Sequence, residues 1–272
     1  MKRLVWCIVL LSLVSVGVLS GCAEPEPPPP VNNFKNPKDL TGTWAQLQVW
    51  ASVNTSTVPI LGKATVDSIS KTLFLVKAKQ VDNKVELTYK SCSIELDSGT
   101  IFVTTTMPDA FVKAIPVTRR DATISVKGGK YTAFKQTKWY QELRGVKLKN
   151  FLKDKLPSDP KDSRVFDQDK DGNPGMTVEV GGIFTGKLYQ VQRIQSHIVA
   201  KTVTLRQIDG LLDWKSEQVN VGTDNENLLA EKTTKKNEDP TTSYFRMTRV
   251  NDDATCAQLI KSKEGLFKRE GD

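Results

Sequence analysis

Asp167, Asp169 and Asp171 stand at alternate positions in the stretch DQDKDGNPG, and Gly172 follows the last of them. Calcium takes about six to eight hard oxygens, and alternate aspartates in a tight turn converge on one point. Three carboxylates crowded without a cation repel one another, so a bound ion would order the loop. The alternative is a solvated Asp-rich turn. The rest of the catalytic inventory is thin. His197 is the only histidine, so a histidine metal cluster is impossible and a Ser-His-Asp triad would have to centre on it. It lies in QRIQSHIVAK with no nucleophile elbow beside it, which reads as a surface or turn histidine. No Cys-x-x-Cys, phosphate-cradling Gly-rich loop or HExxH helix is present. Asp213 and Glu217 in GLLDWKSEQV form a carboxylate pair suited to glycoside chemistry, but strand-edge polarity explains them better. The chain is therefore expected not to be an enzyme.

The aspartate segment resembles an EF-hand loop over its first half. Asp167, Asp169 and Asp171 match the first three ligand positions, Gly172 the bend, and the Asn173 carbonyl the fourth ligand. The second half departs from that pattern: Pro174 takes the usual apolar position, Val178 the bidentate glutamate position, and Glu179 comes one place late. The flanks KDSRVF and MTVEVGG read as coil and strand, not as two helices. The segment is thus more similar to the DxDxDG calcium loops of extracellular proteins, including thrombospondin type 3 repeats. That resemblance implies a structural calcium ion with Glu179 or a backbone oxygen completing the shell.

The N-terminus sets the compartment. Lys2 and Arg3 precede sixteen mostly apolar residues, Leu4 to Leu19, short for a bilayer span of about 20 residues and suited to an export signal. An uncleaved anchor helix is the other reading. The run ends Leu19-Ser20-Gly21-Cys22, which resembles the bacterial lipobox. That resemblance implies cleavage before Cys22, a diacylglycerol on its thiol, commonly an acyl group such as palmitate on its amine, and loss of Cys7 with the signal peptide at 1–21. Ala23 after the cysteine implies sorting to the outer membrane, periplasmic or surface-facing. Two or more acyl chains anchor stably where one does not. The prolines of 22–39 read as a semi-rigid tether of about 3 Å per residue.

Cleavage would leave 37 basic against 31 acidic residues, mixed along the chain rather than gathered into the stripe that nucleic acid requires. The densest basic stretch, Arg144 to Arg164, reads as a solvated loop, or as a contact for anionic headgroups or an envelope polymer. Cys92 and Cys256 are the cysteines left besides Cys22. An oxidising compartment favours their disulfide, whose loop of about 165 residues is worth up to roughly 5 kcal/mol in chain entropy; two buried free thiols are the alternative.

The elements that must position these groups are strands. From Leu40 the pattern has period two and is rich in β-branched residues. Thr41 to Trp50 sets Leu47 and Val49 on one face, with Trp44 and Trp50 on the other. Lys71 to Val81 and Lys84 to Leu96 flank Asp82-Asn83, a hairpin turn. The parity of Val85, Leu87 and Tyr89 is opposite to that of Cys92, Ile94 and Leu96, which predicts a bulge or bend near Lys90-Ser91. Further strands are expected at Ile101 to Thr106, Ala122 to Lys127, Lys130 to Phe134, Thr177 to Gln195, Ile198 to Ile208, Leu211 to Val221 and Ser243 to Val250, with Gly128-Gly129 as a second hairpin turn. Asp252 to Phe267 reads as a helix with Cys256, Leu259 and Ile260 on its apolar side. The expectation is one mainly β domain over 40–272, an antiparallel barrel or sandwich of about 8–11 strands with one short C-terminal helix and a long polar connection at 150–174.

Gly42-x-Trp44 resembles the first-strand motif of lipocalins, in which the tryptophan closes one barrel end against an arginine from a late strand. Arg249, on the side of Phe245 and Met247, is the residue that matches. The resemblance implies a carrier of a small apolar ligand, with a cavity lined by residues such as Phe74, Leu87 and Phe245. The segments DATCAQL and GLLDWKSEQV also resemble β-rich lipoproteins of myxobacteria and related predatory bacteria, which implies no particular activity. The composite expectation is an outer-membrane lipoprotein with a structural or interaction domain that binds an envelope protein or polymer, stabilised by calcium. The lipocalin-like carrier is the alternative.

Overall fold

The period-two runs fold as strands. A computed structural model describes residues 38–58, 62–229 and 232–268; the signal run, Cys22 and the proline tether lie outside them. Within them are twelve strands: β1 (Gly42–Val58), β2 (Gly62–Val81), β3 (Lys84–Asp97), β4 (Val103–Thr106), β5 (Thr118–Lys127), β6 (Lys130–Gln136), β7 (Tyr140–Arg144), β8 (Met176–Gly182), β9 (Gly186–Val203), β10 (Gln207–Thr223), β11 (Lys232–Lys236) and β12 (Tyr244–Val250). Two helices, α1 (Asp109–Ala114) and α2 (Cys256–Leu266), complete the fold. The mainly β class and the C-terminal helix match expectation. The count exceeds 8–11 because β7 and β11, with five residues each, are too short to show a period; β4 lies within the strand expected at Ile101 to Thr106.

Eight strands close a ring. β1, β2, β3, β5, β6, β9, β10 and β12 pair with their neighbours in chain order, all antiparallel, and β12 pairs back onto β1. The architecture is therefore a barrel rather than a sandwich. Closure removes the open edges that a twelve-stranded sheet would otherwise present. Both foreseen hairpins form: Val81 pairs Lys84 around Asp82-Asn83, and Lys127 pairs Lys130 around Gly128-Gly129, whose φ values of 58° and 74° suit a type I′ turn.

The long strands outrun the ring, so the wall between β3 and β9 forks. One edge of β3 pairs β5 as far as Tyr89, then meets β4 only at Glu95 and Leu96. One edge of β9 carries β8, then β7, then β6. The predicted parity break in β3 is a bulge: Leu73 faces Ser93 while Phe74 faces Ser91, which leaves Cys92 as the extra residue. Ile94 thereby returns to the inner face, opposite Thr72.

Inward positions form the main core: Trp44, Phe74, Val76, Leu87, Tyr89, Phe134, Ile198, Leu212, Phe245 and Met247 are all buried in one cluster, with Trp50 packed against it. Outward positions Ala45, Leu73 and Val250 form a second core under α2. Thr255 caps α2 with a capping box through Gln258. Arg246 Nη1 donates to the Phe267 carbonyl at 2.5 Å and Thr248 Oγ1 to the Leu266 carbonyl at 2.9 Å, satisfying the helix end. Only Leu259 of the expected apolar side is buried; Ile260 is 40% exposed, because the helix meets the barrel along a narrower stripe than spacing alone predicted.

Three further expectations change. The run Thr177 to Gln195 is split between Gly182, at φ 104°, and Gly186. The break expected between Gln195 and Ile198 is absent, since β9 runs through with Ser196 buried opposite Trp214. The 150–174 connection is also more than a polar loop. Val146, Leu156 and Val165 pack with Val191, Val219 and Val221 on the outer side of β9 and β10, and Arg193 Nη1 holds the carbonyls of Phe151 and Asp154.

Candidate functional site

The aspartate loop is a closed excursion. Gly175 N donates to the Phe166 carbonyl at 3.1 Å and Gln168 N to the Gly175 carbonyl at 2.9 Å, which pins its two ends together. Lys170 and Gly172 take left-handed φ values of 59° and 89° at its tip. Gly175 has φ 86°, and a Cβ there would lie 2.4 Å from the Gln190 carbonyl oxygen. Only glycine lets the base of the loop press this closely against β9.

Inside the loop the carboxylates draw on backbone donors. Asp167 accepts from Asp171 N and Gly172 N at 3.2 and 2.9 Å. Asp171 accepts from Asn173 N at 2.9 Å and from Thr177 Oγ1 at 2.7 Å. Asp169 accepts from Thr177 N at 2.9 Å through Oδ2, while its Oδ1 is buried without a donor on a residue only 8% exposed. One oxygen from each aspartate lies within 4.8 Å of the others. The cluster could therefore hold a metal ion. Burial, helped by the charge of Asp171 and the contact with Asp167, pushes the Asp169 carboxyl up. Burial also acts on Asp171, but hydrogen bonds from Thr177 and Asn173 outweigh it and hold that carboxyl down.

Of the five residues expected at a metal, three converge. Asn173 sits beside them, with its N–H committed to Asp171. Glu179 does not join the cluster: it is exposed in β8, opposite Thr106 and Lys187. The continuing strand carries it away from the loop, where a helix would have turned it back. Thr177, two residues earlier on the same face of β8, is the oxygen that reaches the aspartates, and this was not foreseen. Its signal was the strand that follows the loop at once.

The disulfide forms between Cys92 and Cys256, with Cα atoms 5.0 Å apart. It ties the bulge of β3 to the first residue of α2. Asp213 lies opposite His197 across the β10–β9 pair, but each bonds elsewhere. His197 sits in mid-strand, not in a turn; its Nε2 is 2.8 Å from the Gln136 carbonyl and its ring stacks on Trp139 at 5.6 Å. Asp213 pairs with Lys236 at 2.5 Å, and Glu217 pairs with Arg193. In the basic stretch, Arg144 pairs Glu142 at 2.6 Å and Arg164 pairs Asp162 at 2.7 Å, which matches two of its seven basic side chains.

One end of the barrel is closed by Trp44, fully buried, whose Nε1 donates to the Leu40 carbonyl at 3.0 Å. Arg249 faces Trp44 across the strand pair, its guanidinium 5.2 Å from the ring centroid. Its Nη1 donates to the carbonyls of Asp39 and Leu205. A Cβ on Gly42, at φ 142°, would fall 2.6 Å from Arg249 Nη2, so the glycine of Gly-x-Trp makes room for the arginine.

Where the wall forks, a second site appears that no motif announced. Arg120 of β5 alternates with Ala122 and Ile124 and so points inward; it is 6% exposed. Its guanidinium carbon lies 3.7 Å from the Tyr140 ring centroid and 4.0 Å from that of Tyr89. Its Nε and Nη1 are buried without an acceptor, and among the described residues no carboxylate pairs with it. Cation–π contact returns about 2 kcal/mol when desolvated, against a penalty of several kcal/mol for burying an ion. Gln136 beside it gives its Nε2 to the carbonyls of Lys138 and Ser196, while its Oε1 finds no donor. A cleft of about 200 Å³ opens here, lined by Arg119, Arg120, Gln136, Lys138, Trp139 and Tyr140 among others. The signal in the sequence was an arginine in phase with inward apolar positions.

The chain matches no protein-family model, no curated protein and no solved structure. Its reading therefore rests on its own residues.

Proposed function

We propose that this chain is a non-catalytic lipoprotein of the bacterial cell envelope. It is lipidated on Cys22 and tethered to the outer membrane, and its β-barrel binds an envelope protein or polymer. The Leu19-Ser20-Gly21-Cys22 run and the proline tether support the anchor. The observation that carries an interaction role over a carrier role is the packing of the barrel. Trp44, Phe74, Tyr89, Phe134 and Phe245 occupy its inner positions and are buried in a single cluster. Pockets for drug-sized ligands run to about 300–1,000 Å³ and are largely preformed; these side chains take that space.

Calcium is the ion proposed for the aspartate loop. Its donors are all hard oxygens, an extracytoplasmic site has access to calcium, and Asp169 Oδ1 is a buried carboxylate oxygen without a partner. The ion would staple the 145–175 excursion onto β9 rather than act on a substrate. A lipocalin-like carrier keeps specific support of its own, the eight-stranded ring in chain order and the Arg249–Trp44 pair.

Cells fed a labelled fatty acid will label the parent chain and leave Cys22→Ser unlabelled in the soluble fraction; equal labelling of both contradicts the anchor. Native mass spectrometry of protein extracted from its own membrane separates the two roles. A co-purified protein or polymer fits the interaction role, and an apolar ligand in stoichiometric amount fits the carrier.

A further inference from the structure

The geometry points to the cleft at Arg120 as a binding site for a small organic carboxylate. A guanidinium that is nine-tenths buried and has no carboxylate beside it requires an anion, and both its occupied faces are rings rather than charges. Its remaining binding capacity lies in its N–H groups: Nε and Nη1 have no acceptor and are closed to solvent, so a ligand entering the cleft reaches them by displacing the side chains that cover them. A carboxylate matches these donors better than water does, since hydrogen bonds between two ionised groups are the shorter and stronger kind.

The surroundings select for a small, partly flat molecule. The cleft of about 200 Å³ equals roughly six or seven liquid-water volumes. Tyr140 and Trp139 line it, and Trp139 is braced by stacking on His197 and by Lys215, whose Nζ is 5.5 Å from the ring centroid. Exposed Arg119 and Lys138 outnumber exposed Asp121 at its mouth, which favours an anion on approach. Gln136 Oε1 is likewise a buried acceptor without a donor, and the same displacement would let it take a hydroxyl or N–H carried by the ligand. The site exists because the wall forks: β5 ends its pairing with β3 at Tyr89↔Thr118, and β7 continues along β9 where β6 stops.

The test is calorimetry, with Trp139 fluorescence as a second readout, on the full mature chain. The probes are acetate, benzoate and 4-hydroxybenzoate, each beside its neutral amide, together with inorganic phosphate. At least one carboxylate should bind saturably at millimolar concentration or below. Its amide should bind roughly tenfold or more weakly, the measure of a lost charged partner. Arg120→Met should lose the preference for acid over amide. Trp139→Ala, at an exposed position that leaves the barrel core intact, should weaken the bound carboxylate and remove the fluorescence change. Amides that match their acids, no saturable carboxylate in the millimolar range, or tighter binding of phosphate would each overturn the assignment. So would an Arg120→Met protein that folds and still prefers the acid.

Discussion

The aspartate loop and the Arg120 cleft carry opposite unmatched charge, and they are built in opposite ways. The loop gathers three carboxylates from five consecutive residues, around a buried Asp169 oxygen with no donor. The cleft isolates one cation, using residues from β3, β5, β6 and β7 that only the register brings together. A site written in one turn is visible as a string. A site written across a fork in a barrel wall exists only once the strands are paired.

The comparison breaks most severely at the seat of the loop. Gly175→Ala places a Cβ against the Gln190 carbonyl at a left-handed φ, and should cost about 2–4 kcal/mol. Chemical denaturation should show that loss while carboxylate binding at the cleft survives; loss of both would mean the two regions are one unit. Calcium comes next. At a hundredfold excess over its dissociation constant it should add about 2.7 kcal/mol, a rise of roughly 5–10 °C in melting temperature for a domain of this size. Asp169→Ala with Asp171→Ala should show no rise, and Arg120→Met should show the full one.

Stability should respond less at the cleft. Removing an unpaired buried charge offsets the loss of cation–π contact, so Arg120→Met should fall within about 1 kcal/mol of the parent in a denaturant melt. A loss of several kcal/mol would make the guanidinium a structural strut instead. The smallest effect is alkaline. Burial holds the Tyr89 and Tyr140 phenols above their ordinary value of 10.0, against the pull of Arg120. A raised folded-state value means stability that is present below 10.0 and is lost as pH rises through the higher folded value. Tyrosinate absorbance during alkaline unfolding should show that loss, displaced to higher pH in Arg120→Met; displacement to lower pH would remove Arg120 from contact with the rings.

The same division explains what could be foreseen. Asp82-Asn83, Gly128-Gly129 and the parity break before Cys92 are local signals, and each became the turn or bulge it implied. The pair Cys92 and Cys256 needed only a compartment and a count. Glu179 failed because the strand expected after the loop runs straight on and carries it past the aspartates, leaving Thr177 as the residue that reaches them. The 150–174 connection looked polar because Leu156 and Val165, which bury it, are spaced irregularly against partners on β9 and β10. Arg120 went unread because one charge in an apolar phase looks like noise until pairing with β3 brings Tyr89 over its face.

Calorimetric titration of calcium into the chelator-treated mature chain tests the central claim most directly, that the aspartate loop is a calcium staple on the barrel. One saturable site per chain is predicted, lost in the Asp169→Ala, Asp171→Ala variant and accompanied by the rise in melting temperature. No saturable heat in the parent, or the same heat in the variant, would contradict it.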